Sequence, residues 1–142
     1  MTDIIFQLVA SQVCEADTRE DDPRNDMDFD ELRDLRCYKW LSAGGKALIE
    51  YLWDHYPKMG AWPGSFDGGR TIDIKRNGVV FEICDQGGKK PFIVNIWKGQ
   101  GRFDTFHIPH DSCVWPDATR HLAHIVNLVE RGKYFGEVTD NA

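Results

Sequence analysis

The chain has 142 residues, a net charge of −6 and a hydrophobic content of 42%. This length suits one domain with its own core, and the composition excludes a chain that is disordered throughout. No apolar run approaches the ~18 residues that a membrane span requires, and the start of the chain lacks the basic region of a signal peptide. We therefore expect a single cytoplasmic domain over residues 1–142, with a polar tail over residues 137–142.

The negative charge is concentrated near the N-terminus. Residues 15–34, which we call the acidic segment, contain ten acidic and three basic side chains, a net charge of −7, whereas the rest of the chain carries +1. The segment is either a solvated surface or a docking face for a basic partner, where charge complementarity would speed association. With no basic run in the sequence, tight duplex binding is not expected, and direct nucleic-acid binding is disfavoured in general. The docking candidates are Asp26, Asp28, Asp30, Glu31 and Asp34.

The first half of the chain predicts helices. Residues 3–14 fit either a helix or a strand, with a helix favoured. Asp28 and Glu31 predict a capping pair at the start of a helix over Phe29–Leu41. Within that helix the apolar residues recur at every third position: Phe29, Leu32, Leu35, Tyr38 and Leu41. A second helical stretch follows and ends at Pro57.

A long loop is predicted over residues 57–70, and it holds two large aromatic side chains, Trp62 and Phe66. Loops of this length are often functional. If the two rings are exposed, they are candidate binding residues, and Trp62 would be a good anchor for a partner. The alternative is that both rings fold back and cap the core.

The second half predicts an α+β fold with a four-stranded antiparallel meander and a C-terminal helix. The strand segments are short and rich in β-branched and aromatic residues, and Asn77-Gly78 is a strong hairpin signal. They are Thr71–Lys75, Val79–Cys84, Pro91–Trp97 and Arg102–Ile108. The final helix over Pro116–Arg131 has an apolar stripe that should pack on one face of the sheet.

The meander should bring four cationic residues together, because its first and third turns lie at the same end of the sheet. These residues lie near Trp97 and Phe103, and they are either solvated turn residues or a small contact patch for an anion or phosphate. They are Lys75, Arg76, Lys98 and Arg102.

Histidine and cysteine cluster between residues 107 and 124. Short spacings of these two residue types suit a zinc ion, and the candidate ligands are His107, His110, Cys113 and His121. The spacing is not that of a standard zinc finger, so histidines that are simply hydrogen-bonded within the fold remain the alternative. The same residues could serve acid–base or nucleophilic catalysis, although nothing nearby predicts an oxyanion hole. No other cofactor is indicated.

Without a convincing catalytic motif, the sequence favours a binding or inhibitor-type protein whose partner is a protein with a basic surface. In size, acidity and composition the chain is similar to small proteins that neutralise nucleases and other nucleic-acid-handling machines, such as toxin-immunity and phage anti-defence proteins. An enzyme built on the His107–His124 region is one alternative. Another is a single-stranded nucleic-acid binder with stacking aromatics and phosphate-binding cations: Trp97, Phe103 and Phe106, with Lys75, Lys98 and Arg102.

Overall fold

The computed structural model describes residues 28–64 and 70–135. Within these ranges the helices are α1 (Phe29–Arg33), α2 (Arg36–Lys39), α3 (Ala43–His55) and α4 (Trp115–Glu130). The strands are β1 (Trp62–Gly64), β2 (Thr71–Arg76), β3 (Val79–Cys84), β4 (Phe92–Lys98) and β5 (Gly101–Ile108). Single 3-10 turns lie at Pro57–Met59 and Ser112–Val114. The predictions for residues 3–14, Asp26, Phe66 and the tail fall outside the described residues.

The strands form one antiparallel sheet in the order β1-β2-β3-β4-β5. This confirms the α+β class and the meander, but among the described residues the sheet has five strands where the sequence predicts four. The additional strand, β1, lies within the predicted loop and pairs with β2, with Trp62 opposite Asp73 and Gly64 opposite Thr71. A three-residue edge strand that contains proline is too short to show an alternating pattern, which is why the sequence predicts a loop there.

The predicted helix over Phe29–Leu41 is interrupted at Leu35, whose backbone is extended with φ −69° and ψ 142°. A spacing of three residues falls about 60° short of a full α-helical turn at each step. One straight helix would therefore spread these apolar residues around its circumference. The break instead allows Leu32, Tyr38 and Leu41 to be buried in the same core.

Two helices cover one face of the sheet, which we call the helix face. The apolar stripe of α4 is buried as predicted, with Leu122 and Val126 at most 5% exposed. Helix α3 approaches the same face, because a Cβ placed on Gly44 would lie 3.6 Å from the ring of Phe92. In this core the apolar stripe of α4 packs against the side chains of the sheet that alternate toward the helix face. The opposite side of the sheet is called the second face.

The turns of the meander are defined by backbone conformation. Asn77 and Gly78 have φ values of 51° and 79°, which confirms the tight hairpin that this pair predicts. At the other end of the sheet the pairing of β4 with β5 shifts, so that Trp97 is opposite Arg102 and Ile96 is opposite Asp104. Phe103 is therefore the extra residue of a β-bulge, a feature that redirects a side chain.

Candidate functional site

The described part of the acidic segment begins with a helix cap. The Asp28 carboxylate accepts a hydrogen bond from the backbone N–H of Glu31 at 2.9 Å, and the Glu31 carboxylate accepts one from the backbone N–H of Asp28 at 3.0 Å. This is the reciprocal capping box that the sequence predicts. Both side chains are exposed, so the cap fixes two carboxylates at the surface in a defined orientation.

The other two described carboxylates of the segment, those of Asp30 and Asp34, also point into solvent. Asp30 pairs with Arg33 at 2.7 Å on the exposed surface of α1, and its side chain is 83% exposed. Asp34 is exposed at the C-terminal end of the same helix. Within residues 28–64 and 70–135, no ion pair joins these carboxylates to a cation outside the acidic segment. Their negative charge is therefore not neutralised by the folded scaffold around them.

Trp62 lies in the core, so in this structure it does not form a surface anchor. Only 2% of it is exposed, and its ring lies 6.5 Å from that of Trp53. The Trp53 indole N–H donates to the Ala61 carbonyl oxygen at 2.7 Å, which ties the approach to β1 against α3. The aromatic pair stabilises the edge of the fold and offers little surface to a partner.

The structure does not bring the four candidate zinc ligands together. His107 is exposed in register with Ile93 on the second face, whereas His121 lies on α4 with its ring 4.9 Å from that of Phe106. His110 lies parallel to Phe92 at a ring distance of 6.4 Å. Among the described residues, no three His, Cys, Asp or Glu side chains are grouped so that they could hold one metal ion. The geometry therefore gives the zinc hypothesis no support.

Cys113 is exposed beside Asp111. A hydrogen bond to the Asp111 carboxylate, together with its negative charge, raises the pKa of the Cys113 thiol. Burial and the neighbouring Glu82 carboxylate raise the pKa of Cys84 to about 12. A nucleophilic cysteine needs a lowered pKa, so neither environment favours nucleophilic catalysis.

The second face carries a polar row that the sequence analysis missed. Asp73, Glu82, Asn95 and Thr105 lie opposite one another on four successive strands. Glu82 is only 2% exposed, and its carboxylate accepts hydrogen bonds from Trp97 Nε1 at 2.9 Å and Asn95 Nδ2 at 3.3 Å. Thr105 donates to Asn95 at 3.0 Å. The available signal was a single acid between two apolar residues in each of two adjacent strands, because strand side chains alternate between faces.

The four predicted cations do not form one exposed cluster. Arg76 is buried on the helix face, where its guanidinium donates to the carbonyl oxygens of Lys58 and Met59 and lies 3.6 Å from Glu130. Lys75 and Arg102 belong to one row on the second face. Arg76 therefore fastens the Pro57–Met59 turn to the sheet and is not available to an external anion.

The three aromatic side chains that were predicted to stack on bases lie in different surroundings. Trp97 donates to Glu82 on the second face, and Phe106 packs against His121 beneath α4. Phe103 is the exception, with 56% of its surface exposed. It lies beside Tyr134 and Phe135, which follow α4 and which the sequence analysis did not connect with β5.

No family model, no curated protein and no solved structure matches this chain. Within residues 28–64 and 70–135, none of the helices is both long and apolar enough to cross a bilayer.

Proposed function

We propose that this chain is a binding protein that docks through its acidic segment on a basic surface of a macromolecular partner. A partner that itself handles nucleic acid would present such a surface, so an inhibitor of the immunity or anti-defence kind is the form that this function would take. One observation carries the proposal: the described carboxylates of the segment are exposed and are bound only within their own segment.

The charge of the acidic segment affects the rate and the selectivity of association more than the contact area. Exposed carboxylates that outnumber the neighbouring cations attract a cationic surface over a distance of about one Debye length, ~8–10 Å at physiological salt. Such steering raises association rates by 10-fold or more and disfavours acidic partners. The capping box holds Asp28 and Glu31 in place before a partner arrives, so less side-chain entropy is lost on binding.

The test is a charge reversal with a matched control. Asp30→Lys with Asp34→Lys changes the charge of α1 and its C-cap without removing the capping box. Asp117→Lys is the control, because Asp117 also occupies the first turn of a helix and pairs with an arginine three residues later, at 2.9 Å. Both variants lose a favourable charge at a helix N-terminus, a change of about 0.3–1 kcal/mol in stability, but only the first alters the acidic segment.

Tagged full-length wild type and both variants would be expressed in the native cell, and co-purified proteins quantified by mass spectrometry. We expect the double variant to lose a partner with a basic surface that wild type and Asp117→Lys retain. With that partner purified, the association rate constant should fall about 10-fold or more at low salt. Equal retention of every co-purified protein by the double variant, or equal loss in the Asp117→Lys control, would overturn the proposal.

A further inference from the structure

A second surface lies where β5 meets the end of α4. Phe103, Tyr134 and Phe135 form an aromatic cluster with ring-centroid distances of 4.3 to 5.8 Å and interplanar angles of 64° to 80°. We call these three residues the aromatic patch. Such edge-to-face contacts are favourable, and they fix the orientation of the Phe103 ring although more than half of it is exposed.

Two structural features keep the patch in place. The β-bulge leaves Phe103 without an opposite residue on β4 and turns it toward the end of α4. The Tyr134 hydroxyl donates to the Asp104 carboxylate at 2.7 Å, which fastens the chain after α4 to β5. Phe103 is therefore held at the surface by the bulge in its own strand and by the hydrogen bond that keeps Tyr134 beside the next residue, Asp104.

The patch is bordered by positive charge. The Lys98 ammonium lies 4.4 Å from the centre of the Phe135 ring. Arg102 directly precedes Phe103, Lys133 directly precedes Tyr134, and both are exposed. Within the described residues neither forms an ion pair, and the carboxylate of Asp104, which follows Phe103, already accepts hydrogen bonds from Tyr134 and the backbone of Thr105.

We infer that the aromatic patch binds a short stretch of single-stranded nucleic acid, with one base stacked on Phe103 and adjacent phosphates contacting Arg102 and Lys133. A base offers an aromatic face with a phosphate on each side, which matches an exposed Phe103 ring in a patch that adjoins Arg102 and Lys133 along the chain and contacts Lys98. An acidic peptide offers charge without that face. The duplex is disfavoured because its bases are already stacked and because few cations are present to replace its counterions. This inference is independent of the acidic segment and its partner.

The probe is a fluorescently labelled twelve-nucleotide oligothymidylate, with a duplex of the same length as the comparison, in anisotropy titrations of the full chain at low salt. Wild type should bind the single strand more tightly than the duplex. Phe103→Ala should weaken binding about 5- to 100-fold, the range found for removal of one stacking ring. Phe103→Trp should retain or improve binding, which separates loss of stacking from loss of structure. Val114→Ala is the matched control, since Val114 is the other large exposed hydrophobic residue of the described chain.

Salt dependence provides the second readout. Arg102→Gln should lower the slope of log affinity against log salt by about 0.7, the value expected for one phosphate contact on a single strand, whereas Arg120→Gln on α4 should leave it unchanged. The inference is overturned if wild type does not bind the single strand at low salt, if Phe103→Ala binds as wild type does, or if the duplex is preferred. Binding of polyglutamate that depends equally on Phe103 would assign the patch to an acidic protein and would overturn it as well.

Discussion

Asp85 caps helix α3 from the end of β3, through Ser42. Its carboxylate accepts the Ser42 backbone N–H at 2.6 Å and the Ser42 hydroxyl at 2.7 Å, while the Ser42 hydroxyl oxygen accepts the Gly45 N–H at 3.1 Å. Asp85 also accepts the N–H of Gly87 at 3.0 Å. One buried carboxylate therefore joins the start of the helix to the turn after the strand.

Removal of this carboxylate should destabilise the fold markedly. Asp85→Ala leaves the partly buried N–H and hydroxyl of Ser42 without this acceptor, and we expect a loss of about 2 kcal/mol, within the range of about 1–3 kcal/mol for one unsatisfied buried group. Urea unfolding monitored by circular dichroism measures it. Asp28→Ala, which removes an exposed cap of the short helix α1, should cost only about 1 kcal/mol. Equal losses in the two variants would contradict the role given to Asp85.

Gly45 is constrained by the same carboxylate. A Cβ at this position would lie 2.2 Å from Asp85 Oδ2, so Gly45→Ala should destabilise the protein although alanine ordinarily favours a helix by about 1 kcal/mol. For a Cβ at Gly44 the nearest atom is the ring nitrogen Nε2 of His110 at 3.0 Å. This atom is the far end of a side chain, which can shift to make room. We therefore expect Gly44→Ala to be close to neutral. A double-mutant cycle with Asp85→Ala should show that the cost of Gly45→Ala falls when the carboxylate is absent.

Hydrophobic pattern and turn chemistry predict much of this fold, and tertiary contacts explain the differences. The strand segments and the Asn77-Gly78 turn follow from local signals. The break at Leu35 does not, because no proline or glycine marks it and only the shared core explains it. The edge strand β1 is defined by pairing with β2, which a local pattern does not reveal.

The candidate sites show the same difference between local contacts, which the sequence predicts, and long-range contacts, which it does not. The capping box of Asp28 and Glu31 depends on residues three positions apart, and the sequence predicts it correctly. The buried position of Arg76 depends on Lys58 and Met59, 18 and 17 residues away. The aromatic patch joins residues 30 or more positions apart, across the whole of α4. Contacts of that range require the three-dimensional fold.

The polar row on the second face depends on Glu82 as an acceptor. Glu82→Ala removes the partner of Trp97 Nε1 and Asn95 Nδ2, and we expect a loss of about 2 kcal/mol together with a change in tryptophan fluorescence. Glu82→Gln keeps an acceptor oxygen and removes a negative charge directly opposite Asp73. It should be destabilised less than Glu82→Ala. The expectation fails if the two variants unfold at the same urea concentration.

The pKa values of the Cys113 and Cys84 thiols should depend to different degrees on the neighbouring carboxylates. Asp111 raises the pKa of the exposed Cys113 chiefly through a hydrogen bond, so Asp111→Asn should lower that pKa and speed alkylation of Cys113 by iodoacetamide near pH 8. For Cys84 burial is the main cause of the pKa of about 12, and Glu82 adds to it. Glu82→Gln should therefore lower the Cys84 pKa only in part. Peptide mapping by mass spectrometry separates the two sites, and an unchanged Cys113 rate in Asp111→Asn would refute the first expectation.

The Tyr134–Asp104 hydrogen bond should make stability depend on pH at both extremes. It lowers the pKa of Asp104, with help from the Thr105 N–H, so the stability it contributes is present above the unfolded carboxyl pKa, near 4, and is lost as pH falls through the lowered value. Burial, followed by the hydrogen bond to Asp104, raises the Tyr134 pKa to about 12. That contribution is complete below the unfolded tyrosine pKa, near 10, and is lost as pH rises toward 12.

Tyr134→Phe tests the acid limit, because it keeps the ring of the aromatic patch and removes the hydroxyl that donates to Asp104. We expect the variant to be less stable than wild type at pH 7 and the difference to shrink in acid, as the pH falls through the lowered pKa of Asp104 in wild type and the carboxylate is protonated. Urea unfolding at pH 7 and pH 3 measures the difference, and the carbon-13 shift of the Asp104 carboxyl should titrate at a higher pH in the variant. The expectation is contradicted if the difference in stability is the same at both pH values and the Asp104 titration is unchanged. In that case the hydroxyl acts through packing alone, and the hydrogen bond does not hold β5 to the end of α4.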